Sequence, residues 1–214
     1  MPPSAEIERI LRLSPVMPVV VIEEAALAPD LARAFLRGGI RVVEITLRTA
    51  AALAAIEAIA RQVPEIAVGA GTVLSAEDLR AAVNAGATFA ISPGATPSLL
   101  SAAASAPIPY LPAVATASDV MQGLACGYHC FKFFPAGPAG SIAMLKAFAG
   151  PFPQARFCPT GGITHDSVRS YLDLPNVLCA GGSWLSPSDA LAARDWKRIE
   201  ALASRAAAAR TQER

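Results

Sequence analysis

Lysine occurs at only three positions in this chain, 132, 146 and 197. Lys146 and Lys197 fall in stretches of helical period, where a solvated charge is the ordinary explanation. Lys132 instead sits inside Cys130-Phe131-Lys132-Phe133-Phe134, a run with the character of a β-strand. Alternation puts Cys130, Lys132 and Phe134 on one face and Phe131 and Phe133 on the other. If the first face is enclosed, the amine loses hydration among aromatic and apolar neighbours. Desolvation disfavours the ammonium form and leaves an amine free to act as a nucleophile. The alternative is a structural lysine paired with Glu44, which shares a strand face with Val42 and Thr46. A carboxylate at that position can also relay protons, which an amine nucleophile requires when a carbinolamine loses water.

Further polar residues gather at the ends of apolar runs. Arg48 follows the run that carries Glu44 and offers a planar fork suited to a carboxylate. Thr72, in Gly69-Ala70-Gly71-Thr72, can add a hydroxyl, with the glycines allowing close approach. Ser92 and Pro93 end a fourth run. Thr160-Gly161-Gly162 and Gly181-Gly182-Ser183 end the last two, each placed to open a helix. Backbone N–H groups without side chains, at helix N-termini, favour an anion, so the two glycine pairs read as a phosphate cradle. Metal chemistry finds little support. The two histidines, His129 and His165, are far apart, and alternation sends His129 and Cys130 to opposite faces.

These residues need elements to position them. Strand-like runs begin at Val16, Arg41, Ile66, Thr88, Ile108, His129, Arg156 and Asn176. Helical segments separate them: 27–39 closes on Gly38-Gly39, 51–65 ends at a proline, and 75–87 opens with a Ser-x-x-Asp cap. Such repeats argue for parallel strands joined by crossover helices, and eight of them close naturally into a barrel. The expected fold is α/β, a single (β/α)8 TIM barrel with an N-terminal helix. Residues 1–15 form that helix at the N-terminal end of the barrel, 16–192 the barrel, and 193–214 a C-terminal helix fraying into its last residues. Nearly every polar strand residue lies at a carboxyl end, the face where barrel enzymes build their sites. No Gly-x-Gly-x-x-Gly follows the first strand, which weakens a dinucleotide-binding reading.

Composition sets the remaining bounds. The chain has 214 residues, 53% hydrophobic and 16% charged, with a formal net charge of +1. No strong field advertises nucleic acid, a membrane surface or an acidic partner, so an anionic ligand needs a local site. No run has the length of a membrane span or the form of a signal peptide, which gives a cytoplasmic reading. Cys126, Cys130, Cys158 and Cys179 are too few for a disulfide scaffold and read as reduced, mostly buried thiols.

Val42 to Thr49, VGAGTVL, FAISPG, FKFFPA, FCPTGGI and CAGGSWL, in this order and spacing, closely resemble the 2-keto-3-deoxy-6-phosphogluconate and 2-keto-4-hydroxyglutarate aldolases. The likeness runs from Val16 to about Ala192. It implies a class I aldolase with Lys132 as the Schiff-base lysine and Glu44 as the proton-transfer residue. By the same resemblance Arg48 and Thr72, beside Lys132, hold the pyruvyl carboxylate, and Gly161, Gly162 and Ser183 hold the phosphate. Pro93, Phe134, Thr160, Gly181 and Gly182 line the site. The family works without a metal or cofactor, acts on small phosphorylated 2-keto acids, and is typically homotrimeric. Two departures stand out: GPAGS follows FFPA where members commonly carry an acidic residue, and Ala113 occupies a common glycine position. Neither touches Lys132 or Glu44. The implied reaction is cleavage of 2-keto-3-deoxy-6-phosphogluconate to pyruvate and glyceraldehyde 3-phosphate. Alternatives are the same mechanism on 2-keto-4-hydroxyglutarate or the galactonate-derived epimer, and a phosphate-binding barrel isomerase or epimerase.

Overall fold

Short β-branched runs alternate with alanine-rich helices along the whole computed structural model, which describes residues 3–138 and 141–210. The expected fraying of the last four residues, and part of the GPAGS segment, lie outside the described residues. The strands are β1 (Val16–Val20), β2 (Val42–Thr46), β3 (Ala67–Gly71), β4 (Phe89–Ile91), β5 (Tyr110–Leu111), β6 (Ala113–Val114), β7 (Cys130–Phe133), β8 (Arg156–Pro159) and β9 (Ala180–Gly182). All their pairings are parallel. One sheet runs β5-β4-β3-β2-β1-β9 and a second runs β6-β7-β8. Isolated parallel bridges, Phe157 to Val177 and Thr160 to Gly181, join β8 to the segment containing β9. The fold is α/β, with helices covering the outside of a curled parallel sheet.

Several strands are shorter than the sequence suggests. The run from Ile108 divides into β5 and β6 at Pro112, which has no N–H to give to a ladder. Its carbonyl still accepts from the Lys132 N–H at 2.9 Å, so the segment keeps its place beside β7. The run from Asn176 keeps only its last three residues as strand. The helices after the glycine pairs also begin later than expected, at Val168 and Ser188, each only five residues long. The glycine loops therefore do not sit at helix N-termini, because turns intervene.

Two apolar layers follow from strand alternation. Outward-facing Val43, Ile45, Val68, Ala70, Phe131, Phe133 and Phe157 pack against the helices. Inward-facing Met17, Val42, Phe89, Ile91, Leu111, Cys130 and Cys158 form a second cluster with Leu178 and Cys179. The N-terminal helix α1 (Pro3–Leu11) adds Ile7, Ile10 and Leu11 to that inner cluster, each at most 2% exposed. Burying such a side chain contributes about 1.5–3 kcal/mol, so α1 is held by its apolar face. The inner cluster forms a dry floor beneath the carboxyl ends of the strands.

Helix starts fix the loops above that floor. Helix α4 (Ala76–Asn84) opens with the expected capping box: the Asp78 N–H donates to Ser75 Oγ at 3.0 Å, and Asp78 Oδ2 accepts from the Ser75 N–H at 3.0 Å. The same carboxylate accepts from the Leu74 N–H at 2.9 Å, tying down the loop that carries Thr72. Helix α6 (Ala117–Ala125) has an equivalent box between Thr116 and Asp119. Each cap is worth about 1 kcal/mol. Among the described residues, no helix is long and apolar enough to cross a membrane.

Cys130, Cys158 and Cys179 are buried thiols, that of Cys179 donating to Cys158 Sγ at 3.4 Å, and Cys126, just past α6, is exposed. Burial pushes the Cys130 thiol up to about 12, so it stays protonated at ordinary pH. Titration of the folded protein with a thiol reagent near pH 8 should therefore read about one thiol per chain, and four after denaturation. Rapid labelling of two or more in the native state would contradict the closed floor.

Candidate active site

Alternation along β2 places Val42, Glu44 and Thr46 toward the inside of the curl. Along β7 it places Cys130 and Lys132 there. The two strands are not neighbours, yet the curl brings their polar side chains together. Lys132 Nζ donates to Glu44 Oε1 at 3.1 Å, between residues 88 apart in the chain. The side chains are only 6% and 2% exposed. A pair so enclosed has given up most of its hydration, and losing one partner costs about 3–5 kcal/mol because the other charge is left uncompensated. The pairing that the structural alternative describes is present, and Lys132 also lines a cavity. Its Nζ lies 5.2 Å from the centre of the Phe134 ring, a cation–π contact that steadies the ammonium from a second side.

Glu44 occupies space that a side chain on β3 would need. Gly71 is paired with Thr46 in the ladder, and a Cβ there would collide with the Glu44 carboxylate. The glycine in the Gly-Ala-Gly-Thr run is thus an opening for the acid as well as a loop element. The next residue, Thr72, has φ 59°, a left-handed conformation that a β-branched residue adopts only at a cost of about 1–3 kcal/mol. That strained turn carries Thr72 to the cavity wall.

One cavity of about 310 Å³ collects these groups. Glu44, Arg48, Thr72, Pro93, Lys132, Phe134, Thr160, Gly161, Gly162, Gly181 and Ser183, all anticipated from the sequence, line it. Gly182 does not. A Cβ at that position would strike the Trp184 ring, so the glycine makes room for that ring. Ser92 also turns away, toward the buried Tyr110 hydroxyl. Val19, Thr46 and Ile163 line the cavity as well. Val19 and Thr46 could have been found by extending the alternation from Met17 and Glu44; nothing in the sequence marks Ile163.

Charge within the cavity is unbalanced. Lys132 and Glu44 offset one another, whereas Arg48 has no acidic partner among the described residues; its Nε donates to Thr46 Oγ1 at 3.2 Å. One uncompensated guanidinium in a recess suits one carboxylate. Gly161 and Gly162 take φ 93° and 77°, a left-handed pair that bares the backbone. Their loop is braced by the segment after β7: the Ala136 N–H donates to the Thr160 carbonyl at 2.8 Å and the Gly137 N–H to that of Gly161 at 2.9 Å. A larger cavity of about 440 Å³ lies by His165, Arg169, Trp184 and Arg205, but it brings no nucleophile together with a base. No group of three His, Cys, Asp or Glu side chains among the described residues could hold a metal ion.

Known proteins resemble this chain in sequence and fold. A family model described as KDPG and KHG aldolase matches residues 7–202. The chain is 52% identical over 199 residues to the KHG/KDPG aldolase of Escherichia coli K12, covering 93% of each. It is 52% identical over 194 residues to the 2-dehydro-3-deoxy-phosphogluconate aldolase of Pseudoalteromonas atlantica, covering 91% of this chain and 90% of that one. Among solved structures, the KDPG aldolase of Legionella pneumophila, with pyruvate captured at low pH as a covalent carbinolamine, superposes with a TM-score of 0.92 at 48% identity, covering 94% of this chain and 97% of that one. That of Zymomonas mobilis ZM4, with 3-phosphoglycerate, gives 0.91 at 48% identity, covering 96% of each. The chain belongs to the KDPG and KHG aldolase family.

Proposed function

We propose that this protein is a class I aldolase that cleaves 2-keto-3-deoxy-6-phosphogluconate to pyruvate and glyceraldehyde 3-phosphate through a Schiff base on Lys132. The observation that carries the reading is the enclosed Lys132–Glu44 pair, 3.1 Å apart on the wall of a cavity with one unpaired arginine. Its relative from Legionella pneumophila, seen with a covalent pyruvate carbinolamine, supports the same chemistry.

Proton transfer along the Lys132–Glu44 hydrogen bond frees the amine and protonates the acid. The amine adds to the C2 carbonyl, and Glu44 returns the proton to the carbinolamine hydroxyl, which leaves as water. The iminium that results is an electron sink. Glu44, again a carboxylate, then takes the C4 hydroxyl proton; the C3–C4 bond breaks, its electrons form the enamine, and glyceraldehyde 3-phosphate departs. Glu44 protonates C3, and water hydrolyses the iminium to pyruvate and the free lysine. The covalent iminium supplies the electrophile. Arg48 and Thr72 hold the carboxylate, while the backbone of Gly161 and Gly162, with Ser183, holds the phosphate. The bared Gly161–Gly162 loop and a single guanidinium without an acidic partner among the described residues favour a substrate with one carboxylate and one phosphate over a dicarboxylate such as 2-keto-4-hydroxyglutarate. The retained lysine–acid pair argues against an isomerase or epimerase, which needs no imine.

The reading extends to the architecture: one domain over residues 1–214, closed as a (β/α)8 barrel with α1 across its N-terminal end. Closure is supported by the Lys132 N–H bond to the Pro112 carbonyl and by the bridges joining β8 to β9. It extends also to a cytoplasmic homotrimer, a state the family resemblance implies and to which exposed Leu74 and Met121 offer apolar surface.

Reduction of a pyruvate mixture with borohydride should leave one adduct, mapped by mass spectrometry to the peptide containing Lys132. An adduct on Lys146 or Lys197, or none on folded protein, would overturn the scheme. Glu44→Gln should lower kcat about 10²–10⁴-fold with a smaller change in KM. An effect confined to KM would remove Glu44 as the proton carrier. Light scattering should give three times the mass of one chain.

A further inference from the structure

Thr46 closes β2 and is 1% exposed, so its hydroxyl must find partners within the protein. The hydroxyl donates to the Val20 carbonyl on neighbouring β1 at 2.8 Å. With its only proton committed there, the oxygen can serve its other neighbour just as an acceptor. Arg48 Nε donates to it at 3.2 Å. Among the described residues Arg48 makes no other hydrogen bond and no ion pair, although a guanidinium carries five donors. Its Nε is thereby held, its two terminal nitrogens have no protein partner among the described residues, and Arg48 lines the same cavity as Lys132 and Thr72.

We propose that Thr46 is a positioning residue that orients Arg48 for the substrate carboxylate, a role resting on the reading of Arg48 as the carboxylate-binding group. Val20 sets the polarity of the relay: its carbonyl takes the hydroxyl proton, so Thr46 cannot compete with a substrate oxygen as a donor. An acid in place of Thr46 would also orient Arg48, but its charge would cancel that of the guanidinium and repel the substrate. A neutral hydroxyl holds the arginine and leaves its charge to the ligand. Side-chain freedom in arginine is large, and an arginine already held needs less ordering when substrate arrives. The assignment explains why a polar residue is kept at a fully buried strand end where valine would fit the β-ladder equally well.

The test compares Thr46→Val, similar in shape but without either bond, with Thr46→Ser, which keeps the hydroxyl. The readouts are KM and kcat for cleavage and the pyruvate concentration that half-saturates borohydride trapping on Lys132. Thr46→Val should raise both KM and the half-saturating concentration about tenfold or more, with kcat changed less, and Thr46→Ser should stay near wild type. In an Arg48→Ala background, Thr46→Val should add no further loss. Wild-type saturation by Thr46→Val would overturn the assignment. So would an undiminished loss in the Arg48→Ala background, or a fall in melting temperature and kcat with KM unchanged, which is what a purely structural role gives. Failure of the wild-type protein to trap pyruvate on Lys132 would instead reject the aldolase reading itself.

Discussion

A lysine and a glutamate facing one another in a nearly dry recess impose conditions on everything around them. Each charge has lost its water, and each is tolerable only while the other stays within hydrogen-bond reach. The surroundings answer that demand in particular ways. Gly71 withholds a side chain so that the Glu44 carboxylate has room, and the Phe134 ring lies over the ammonium. The floor below, built from Met17, Val42, Phe89, Leu111 and the three buried cysteines, excludes water that would screen the pair. The apolar face of α1 completes that floor, which ties the chain's N-terminal segment to the chemistry at the opposite end of the strands.

In the proposed reading, anion recognition is divided between two kinds of donor. One charged side chain, Arg48, has no acidic partner among the described residues, and the other donors are neutral backbone and hydroxyl groups on the glycine loops. This arrangement avoids packing several cations beside Lys132, where mutual repulsion would raise the cost of burial. It relies instead on backbone geometry, and the left-handed residues Thr72, Gly161 and Gly162 mark where that geometry departs from ordinary strand and turn. The capping box at Ser75 and Asp78 and the hydrogen bonds from Ala136 and Gly137 hold those departures in place. Stability away from the cavity thus supports strain within it.

The alternation of β2 and β7 was legible because neighbouring residues encode it: Glu44 and Lys132 share faces with Val42 and Cys130 whatever the rest of the chain does. The glycine pairs, the Ser75 cap and the clustering of polar residues at strand ends were legible for the same local reason. So was most of the cavity lining. The local pattern is overridden where a neighbour in space intervenes. Gly182 packs against Trp184, the helices after the glycine loops begin several residues late, and Pro112 divides a run that otherwise reads as one strand.

By itself, then, the sequence determined which side chains share a face, which loops lack side chains, and that Lys132 and Glu44 each stand on a strand face among apolar residues. Only the tertiary structure decided that this lysine and this acid meet at 3.1 Å across the interior, that Arg48 is held by Thr46 with no counter-charge among the described residues, and that Thr72 turns left-handed into the cavity. The reason is physical. Face and period depend on residues two apart in the chain, whereas distance across the interior depends on the twist and curl summed over every intervening strand.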